Sequence, residues 1–296
     1  MVVVAAGLVA LLGFAALVTD LGLLYWVRAS LQNAADAAVL AGIRYLPDQP
    51  AQAEAAARDY AGRNGATAPG TTVTVEVLDQ GSRLRVTASR TVSLLFGRAL
   101  GQTRADVGAR AAARIGAVQE AEGAMPFGVE RQSFNYGEPY TLKYAPGSQP
   151  APGNFGLLAL GGFGGCNYRE NVMYGYSGTL RVGETVFTEP GNKSGPTRDG
   201  INYRLQNSSE DRWYDPSLND ARLLRVPIID SFNSANGRDT VTVVGFAIFY
   251  LEELGGPGNE AWVTGRFLHW LDNESEPGPG LGGTDDYGYL AYRMVE

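Results

Sequence analysis

The chain of 296 residues has one cysteine, Cys166, one histidine, His269, and two lysines, Lys143 and Lys193. A single cysteine excludes an internal disulfide framework, so burial, partners or ions must hold the fold. Cys166 itself reads as a small buried thiol, with an intermolecular disulfide as the alternative. A zinc site needs three or four His and Cys ligands, and only His269 and Cys166 exist. His269 lies in RFLHWLD, with no GxSxG elbow and no Cys–His context to make a triad. Net charge is −7 and no block of Lys or Arg occurs, so nucleic-acid binding has no electrostatic footprint. The expectation from these absences is a non-enzymatic chain with no catalytic residues, no cofactor and no zinc or other His- and Cys-built metal site.

Charge is also missing from the beginning. Met1 to Thr19 carries none, and Asp20 is the only charge before Arg28. As a helix rising about 1.5 Å per residue, that run covers roughly 28 Å, about one hydrocarbon thickness. Ala, Leu and Gln keep helix propensity high as far as Leu46, where Pro47 ends it. The expectation is one helix over residues 1–46, roughly 68 Å long, whose first half needs a dry environment. No Lys or Arg precedes the apolar run, unlike a signal anchor, so a mature form that has lost a basic leader is expected. Such a helix can be buried among copies of itself. Gly7, Gly13 and Gly22 in the first half, and Ala29, Ser30, Ala34, Ala35, Ala37, Ala38, Ala41 and Gly42 in the second, would let helix backbones approach closely.

The segment GFAALVTDLGLLYWVRASLQNAADAAVLAG resembles the N-terminal helix of TadE/TadG-like proteins of Tad (tight adherence, Flp-type) pilus systems. Gly13 to Leu17, Asp20-Leu21-Gly22, Leu31 to Ala38 and Leu40-Ala41-Gly42 carry the likeness. It implies a type IV pilin-like subunit, inserted as a single-pass precursor in the inner (cytoplasmic) membrane. The pilus secretion machinery would then draw it into an extracellular surface filament, a homopolymer joined through its N-terminal helices. Type IV pilins usually carry Glu at the fifth mature position; here that position is Ala5 if Met1 is the mature start. Asp20 then becomes the acid to watch, expected to pair with a neighbour's backbone N–H or with Arg28, because an unpaired carboxylate in such a core is costly. Gly7, Gly13, Phe14, Asp20, Gly22, Arg28, Ala34, Ala35 and Asp36 are the expected helix-core assembly residues.

After the helix, residues 47–120 read as a small α+β module. An Ala-rich helix runs from Pro47 to Asn64, with Gly62 and Gly65 as its stop. Thr71 to Leu78 and Arg83 to Thr91 alternate as strands around the turn Asp79 to Ser82, predicting an antiparallel hairpin. Ser93 to Leu100 predicts a short helix with Ser93 as cap. Thr103 to Val118 is open between strand and helix: Ala favours helix, alternation favours a strand beside the hairpin.

Residues 121–296 read as a Gly- and Tyr-rich all-β extracellular domain, a sandwich or partly open barrel, without a convincing amphipathic helix. Expected strands are Tyr140 to Tyr144, Phe155 to Leu160, Gly178 to Thr188, Arg222 to Ile229, Thr240 to Glu252, Ala261 to Leu271 and Tyr287 to Val295. Thr240 to Tyr250, apolar on both faces, should be central. The whole is thus α+β, a long helix and small module followed by a mainly-β domain.

In that domain the loop Glu189 to Thr197 reads as a rigid surface turn or a subunit-contact loop. Pro190 and Pro196 fix the chain, Gly191 and Gly195 suit positive φ, and Asn192 opens an N-x-S sequon, as Asn207 and Asn273 do. Gly161 to Gly165 lacks Lys and a following helix, so it is no phosphate loop. Carboxylates at Asp211, Asp215 and Asp220 (with Asn219), and at Glu274, Glu276, Asp285 and Asp286, read as solvated loops, with Ca²⁺ as the alternative. Tyr136, Tyr140, Tyr144, Tyr168, Tyr174, Tyr176 and Trp213 lie among glycines, either as core or as a surface for sugars or proteins. They sustain the alternative function, a membrane-anchored minor assembly component or adhesin that binds a surface or glycan.

Overall fold

The computed structural model describes residues 2–144, 147, 156–209, 212–214, 216, 220–232, 237–272 and 286–295. The chain forms two compact units, Met1–Ile115 with Arg293–Glu296, and Gly116–Tyr292. It is α+β throughout.

In the first unit, α1 spans Val2–Gly42 and ends in a 3-10 turn, Ile43–Tyr45. Beyond Asp20 its apolar residues fall on one stripe: Val27, Leu31, Ala34, Ala35, Ala38 and Val39 are buried, at the 3–4 residue spacing of a helix face. Helix α2, Pro50–Ala61, opens with proline, whose missing N–H costs nothing in a first turn. It buries Ala53, Ala57 and Ala61 along one side. The two helices approach closely at Gly42, where a Cβ would stand 2.5 Å from Leu84 Cδ2 and 2.7 Å from the Ala53 carbonyl oxygen.

Strands β1 (Thr71–Leu78) and β2 (Arg83–Ser93) form the expected hairpin, in register from Thr71 opposite Arg90 to Leu78 opposite Arg83. The open segment resolves as a strand, β3 (Arg104–Ala117), paired with β2 from Arg104 to Arg114. Its alanines keep one sheet face low, and Leu23, Leu24, Val27 and Leu31 of α1 pack there on Val73, Ala88, Val92, Val107 and Ala109. The short helix expected from Ser93 is instead a single 3-10 turn, Gly97–Leu100. Ser93 belongs to β2, and the Leu94 N–H continues the ladder to the Thr103 carbonyl at 3.0 Å. At the other end of the chain the Val295 N–H donates to the Ala112 carbonyl at 2.8 Å.

The second unit carries β4 (Glu120–Glu122), β5 (Val129–Glu130), β6 (Pro139–Lys143), β7 (Leu158–Ala159), β8 (Thr179–Arg181), β9 (Thr185–Thr188), β10 (Leu223–Ile229), β11 (Thr240–Gly255), β12 (Trp262–Leu268), β13 (Trp270–Asp272) and, as far as Tyr292, β14 (Tyr289–Met294). The main sheet runs β5-β10-β11-β12-β6, with β9 joined to β11 and β7 to β9. β11 is central, as its two apolar faces require. Ala247, Phe249 and Leu251 enter one core with Phe127, Leu224 and Phe267, while Phe246, Ile248 and Tyr250 enter another with Leu180, Val241 and Tyr289.

Two helices here run against the all-β expectation: α3, Gly165–Tyr174, and α4, Ser194–Asn207. Their buried residues mix apolar Tyr168, Val172 and Ile201 with polar or small Asn171, Ser194, Thr197, Gly200 and Arg204, so the apolar period is too short and interrupted to betray them. They hold together by contact and hydrogen bonds. The Tyr168 and Thr197 hydroxyls lie 3.0 Å apart, and a Cβ on Gly200 would stand 2.5 Å from Val172 Cγ1. The glycine loop 161–165 is therefore followed by a helix after all.

Candidate functional site

Among the side chains described in α1 before Asp20, Ala16 is half-buried and the others are exposed: Gly13, Phe14 and Ala15, then Leu17, Val18 and Thr19, point successively around the axis into solvent. Phe14 is 69 % and Val18 67 % accessible. Such apolar exposure over several turns is far beyond what a lone soluble domain shows. The helix is long and apolar enough to cross a membrane. A Cβ on Gly7, Gly13 or Gly22 would meet nothing within 4 Å, so these notches open outward. Arg28 is exposed too. Ala34 and Ala35 are buried within the same chain, and Asp36 accepts from Gln32 Nε2 at 2.9 Å.

Asp20 marks the change between the halves. Its carboxylate accepts three successive backbone N–H groups of its own chain, Leu95 at 2.9 Å, Phe96 at 3.0 Å and Gly97 at 2.7 Å. Consecutive amides converging on one anion form a nest, which satisfies a half-apolar site's only acid. Within the chain its partners are these three amides rather than Arg28. The β2–β3 loop that supplies it could not be paired with Asp20 from sequence, being some 75 residues away.

In the second unit, the Glu189 to Thr197 loop is fastened rather than free. Glu189, 2 % exposed, pairs with Lys193 at 2.8 Å. Asn192 takes the Lys143 ammonium on Oδ1 at 2.6 Å and donates Nδ2 to the Asn259 carbonyl, so its amide is engaged on both sides. Positive φ falls at Gly191 and Lys193, whereas Gly195 and Pro196 lie in the first turn of α4. Gly191 and Gly195 are exposed; Pro190 and Pro196 are half-buried. Lys143 is itself fully buried in β6, donating also to the Ala261 carbonyl at 2.7 Å. Burial, then the Arg198 charge, brings its pKa down to about 8.

Of the aromatics, Tyr168 is core, and Tyr140 and Tyr176 pack against the two cores. Tyr136 and Trp213 meet instead at a cleft of about 400 Å³, whose lining also includes Gly137, Tyr214, Pro216, Leu268, His269 and Trp270. Its walls are two perpendicular ring pairs, Trp213–Tyr214 at 5.9 Å and Tyr136–His269 at 5.6 Å between centroids. Glycines seat both walls. A Cβ on Gly137 would lie 3.2 Å from Trp213, and one on Gly288 2.4 Å from Tyr136. Arg266, paired with Glu252 at 2.7 Å, stands 5.0 Å over the Trp213 ring. Sequence reading found Tyr136 and Trp213 but missed Tyr214, Trp270 and His269, which only the fold brings beside them.

Cys166 is exposed on α3, not buried. Asp220 binds Ser208 Oγ and the Arg222 N–H, and Asp286 caps the Gly288 N–H. Asp211, Asp215, Asn219, Asn273, Glu274, Glu276 and Asp285 lie outside the described residues. Among the described residues no three His, Cys, Asp or Glu side chains gather as a metal site would need.

Residues 1–62, which comprise α1, α2 and the turn between them, match the family model described as "Putative Flp pilus-assembly TadE/G-like". The match is the segment whose residues carry the TadE/TadG likeness, and it associates this chain with pilus assembly. No curated protein and no solved structure matches the chain.

Proposed function

We propose that this chain is a structural subunit of an extracellular Tad or type IV-like pilus. Its α1 helices would bundle in the filament core, with the β-rich unit facing outward. The observation that carries this is the division of α1 at Asp20: one half is packed into its own module, while the described side chains of the other are exposed apart from the half-buried Ala16. At about 25 cal/mol per Å² of apolar surface, sheathing the bare half in neighbouring helices would stabilise each subunit by tens of kcal/mol relative to water. Before assembly the same half would sit in the inner membrane as a single span, from which the secretion machinery extracts it. The role is non-catalytic and needs no cofactor. Gly7, Gly13, Phe14 and Gly22 would line helix–helix contacts, and Gly191 and Gly195 are available for contacts between outer units.

Electron microscopy of appendages sheared from cells, with mass spectrometry of the main band, tests this. The expected outcome is that this chain dominates and indexes to a helical lattice with a dense α-helical core. Retention in the membrane fraction, with no share in sheared appendages, would count for a second reading that the aromatic cleft favours. There the chain is a membrane-anchored minor component or adhesin, and Tyr136, Trp213, Tyr214 and Trp270 offer ring faces to a surface glycan. On that reading Trp213→Ala abolishes glycan-array binding while leaving the thermal midpoint and membrane insertion unchanged.

A further inference from the structure

The loop that clamps Asp20 exposes apolar side chains at the level where the dry half of α1 ends. Leu95 is 64 % and Phe96 48 % exposed at the tip of the β2–β3 hairpin, although Leu94 beside them is buried. Their backbone amides are the ones bound to Asp20, so the tip is fixed at one height along the helix. Two further features mark that height as a membrane–water boundary. The charge-free run ends at Thr19, and Tyr25 and Trp26, 76 % and 63 % exposed, follow within two turns, where interfacial aromatics belong. With about 100° between successive residues, Tyr25 and Trp26 point roughly 120–140° to either side of Asp20. The Asp20 side of α1 therefore has no interfacial aromatic of its own. Leu95 and Phe96 occupy that side, and Arg98 and Arg104, both exposed, flank them as headgroup contacts.

We propose that the Leu95–Phe96 tip inserts into the interfacial layer of the lipid bilayer beside α1, as a second point of membrane attachment before assembly. This rests on the membrane-inserted precursor of the preceding section. It makes Asp20 a positioning residue that holds the hairpin tip at bilayer depth. A loop bearing Leu and Phe at its point and Arg at its base has the composition of an interfacial anchor.

The test uses the full chain with Cys166→Ser, reconstituted in phosphatidylcholine–phosphatidylglycerol vesicles containing doxyl-labelled lipids. A fluorophore is attached at one of three positions, Phe14→Cys, Leu95→Cys or Thr74→Cys. The expected result is loss of fluorescence at 14 and 95 and none at 74, with shallow doxyl groups quenching position 95 more than deep ones. Adding Asp20→Asn should restore fluorescence at 95 and leave position 14 quenched. Quenching at 14 without quenching at 95 overturns the second attachment but leaves the inserted helix standing. Absence of quenching at both overturns the membrane reading and this inference together. A label at 95 that ignores lipid but becomes shielded in assembled filaments assigns the tip to a second copy of the chain, and also overturns it.

Discussion

Asp20 shows how one side chain divides a helix between two environments. Replacing it by Ala removes the carboxylate that accepts three convergent N–H groups, which must then find water or move. Amide exchange at Leu95, Phe96 and Gly97 should accelerate by about tenfold or more, while the buried Val86 and Ala111 amides stay protected. Unchanged exchange at the loop would mean the nest contributes nothing to its order. Lys143 is the corresponding case in the second unit. Its pKa is about 8 in the fold against 10.5 unperturbed, so between those values the unfolded chain binds more protons than the native one. Stability should therefore rise as pH increases from about 8 to about 10. Above about 10 Tyr168 acts in the opposite sense, because burial raises its pKa and the folded hydroxyl stays protonated while the unfolded one ionises. Thermal midpoints across this range check it, and Lys143→Met should flatten the ascending limb.

At the scale of elements, Gly42 is where α1 meets both α2 and β2, and its φ of −76° is ordinary helix. The constraint there is space alone. Gly42→Ala puts a methyl against Leu84 and the Ala53 carbonyl and should cost about 1–3 kcal/mol by urea denaturation; Gly13→Ala, with nothing within 4 Å, should cost nothing or stabilise slightly. Legibility followed the same physics. α1, the hairpin and β11 could be read because their patterns, a charge-free run and regular alternation, come from the environment each must enter. Helices α3 and α4 could not, since Asn171, Thr197, Gly200 and Arg204 share the packing with only Tyr168, Val172 and Ile201, and polar residues interrupt the periodic signal. Small residues misled in another way. Ala34 and Ala35 look available for neighbouring helices, yet a helix lying on an alanine-lined sheet needs the same small side chains. The Asp20 nest and the aromatic cleft were legible only as isolated residues, because their partners come from distant loops.

For the whole molecule, the division of α1 has a direct consequence. Among the described residues, those of α1 that build the first unit's core lie beyond Asp20, and those before it, Ala16 apart, are exposed. A chain lacking residues 2–19 should therefore keep its fold, with a change in unfolding free energy within about 0.5 kcal/mol, the range of surface changes. It should also leave the membrane fraction, stay monomeric in sedimentation and form no filaments, because the apolar helix surface that drives those associations is gone. Loss of the folded state on truncation would show that the bare half serves the fold itself. A truncated chain that still polymerised would move the assembly contacts out of the helix and onto the outer β unit, where Gly191 and Gly195 are exposed. Folding retained with assembly lost is the outcome that follows from one helix serving two burials, the first within its own module and the second among its neighbours.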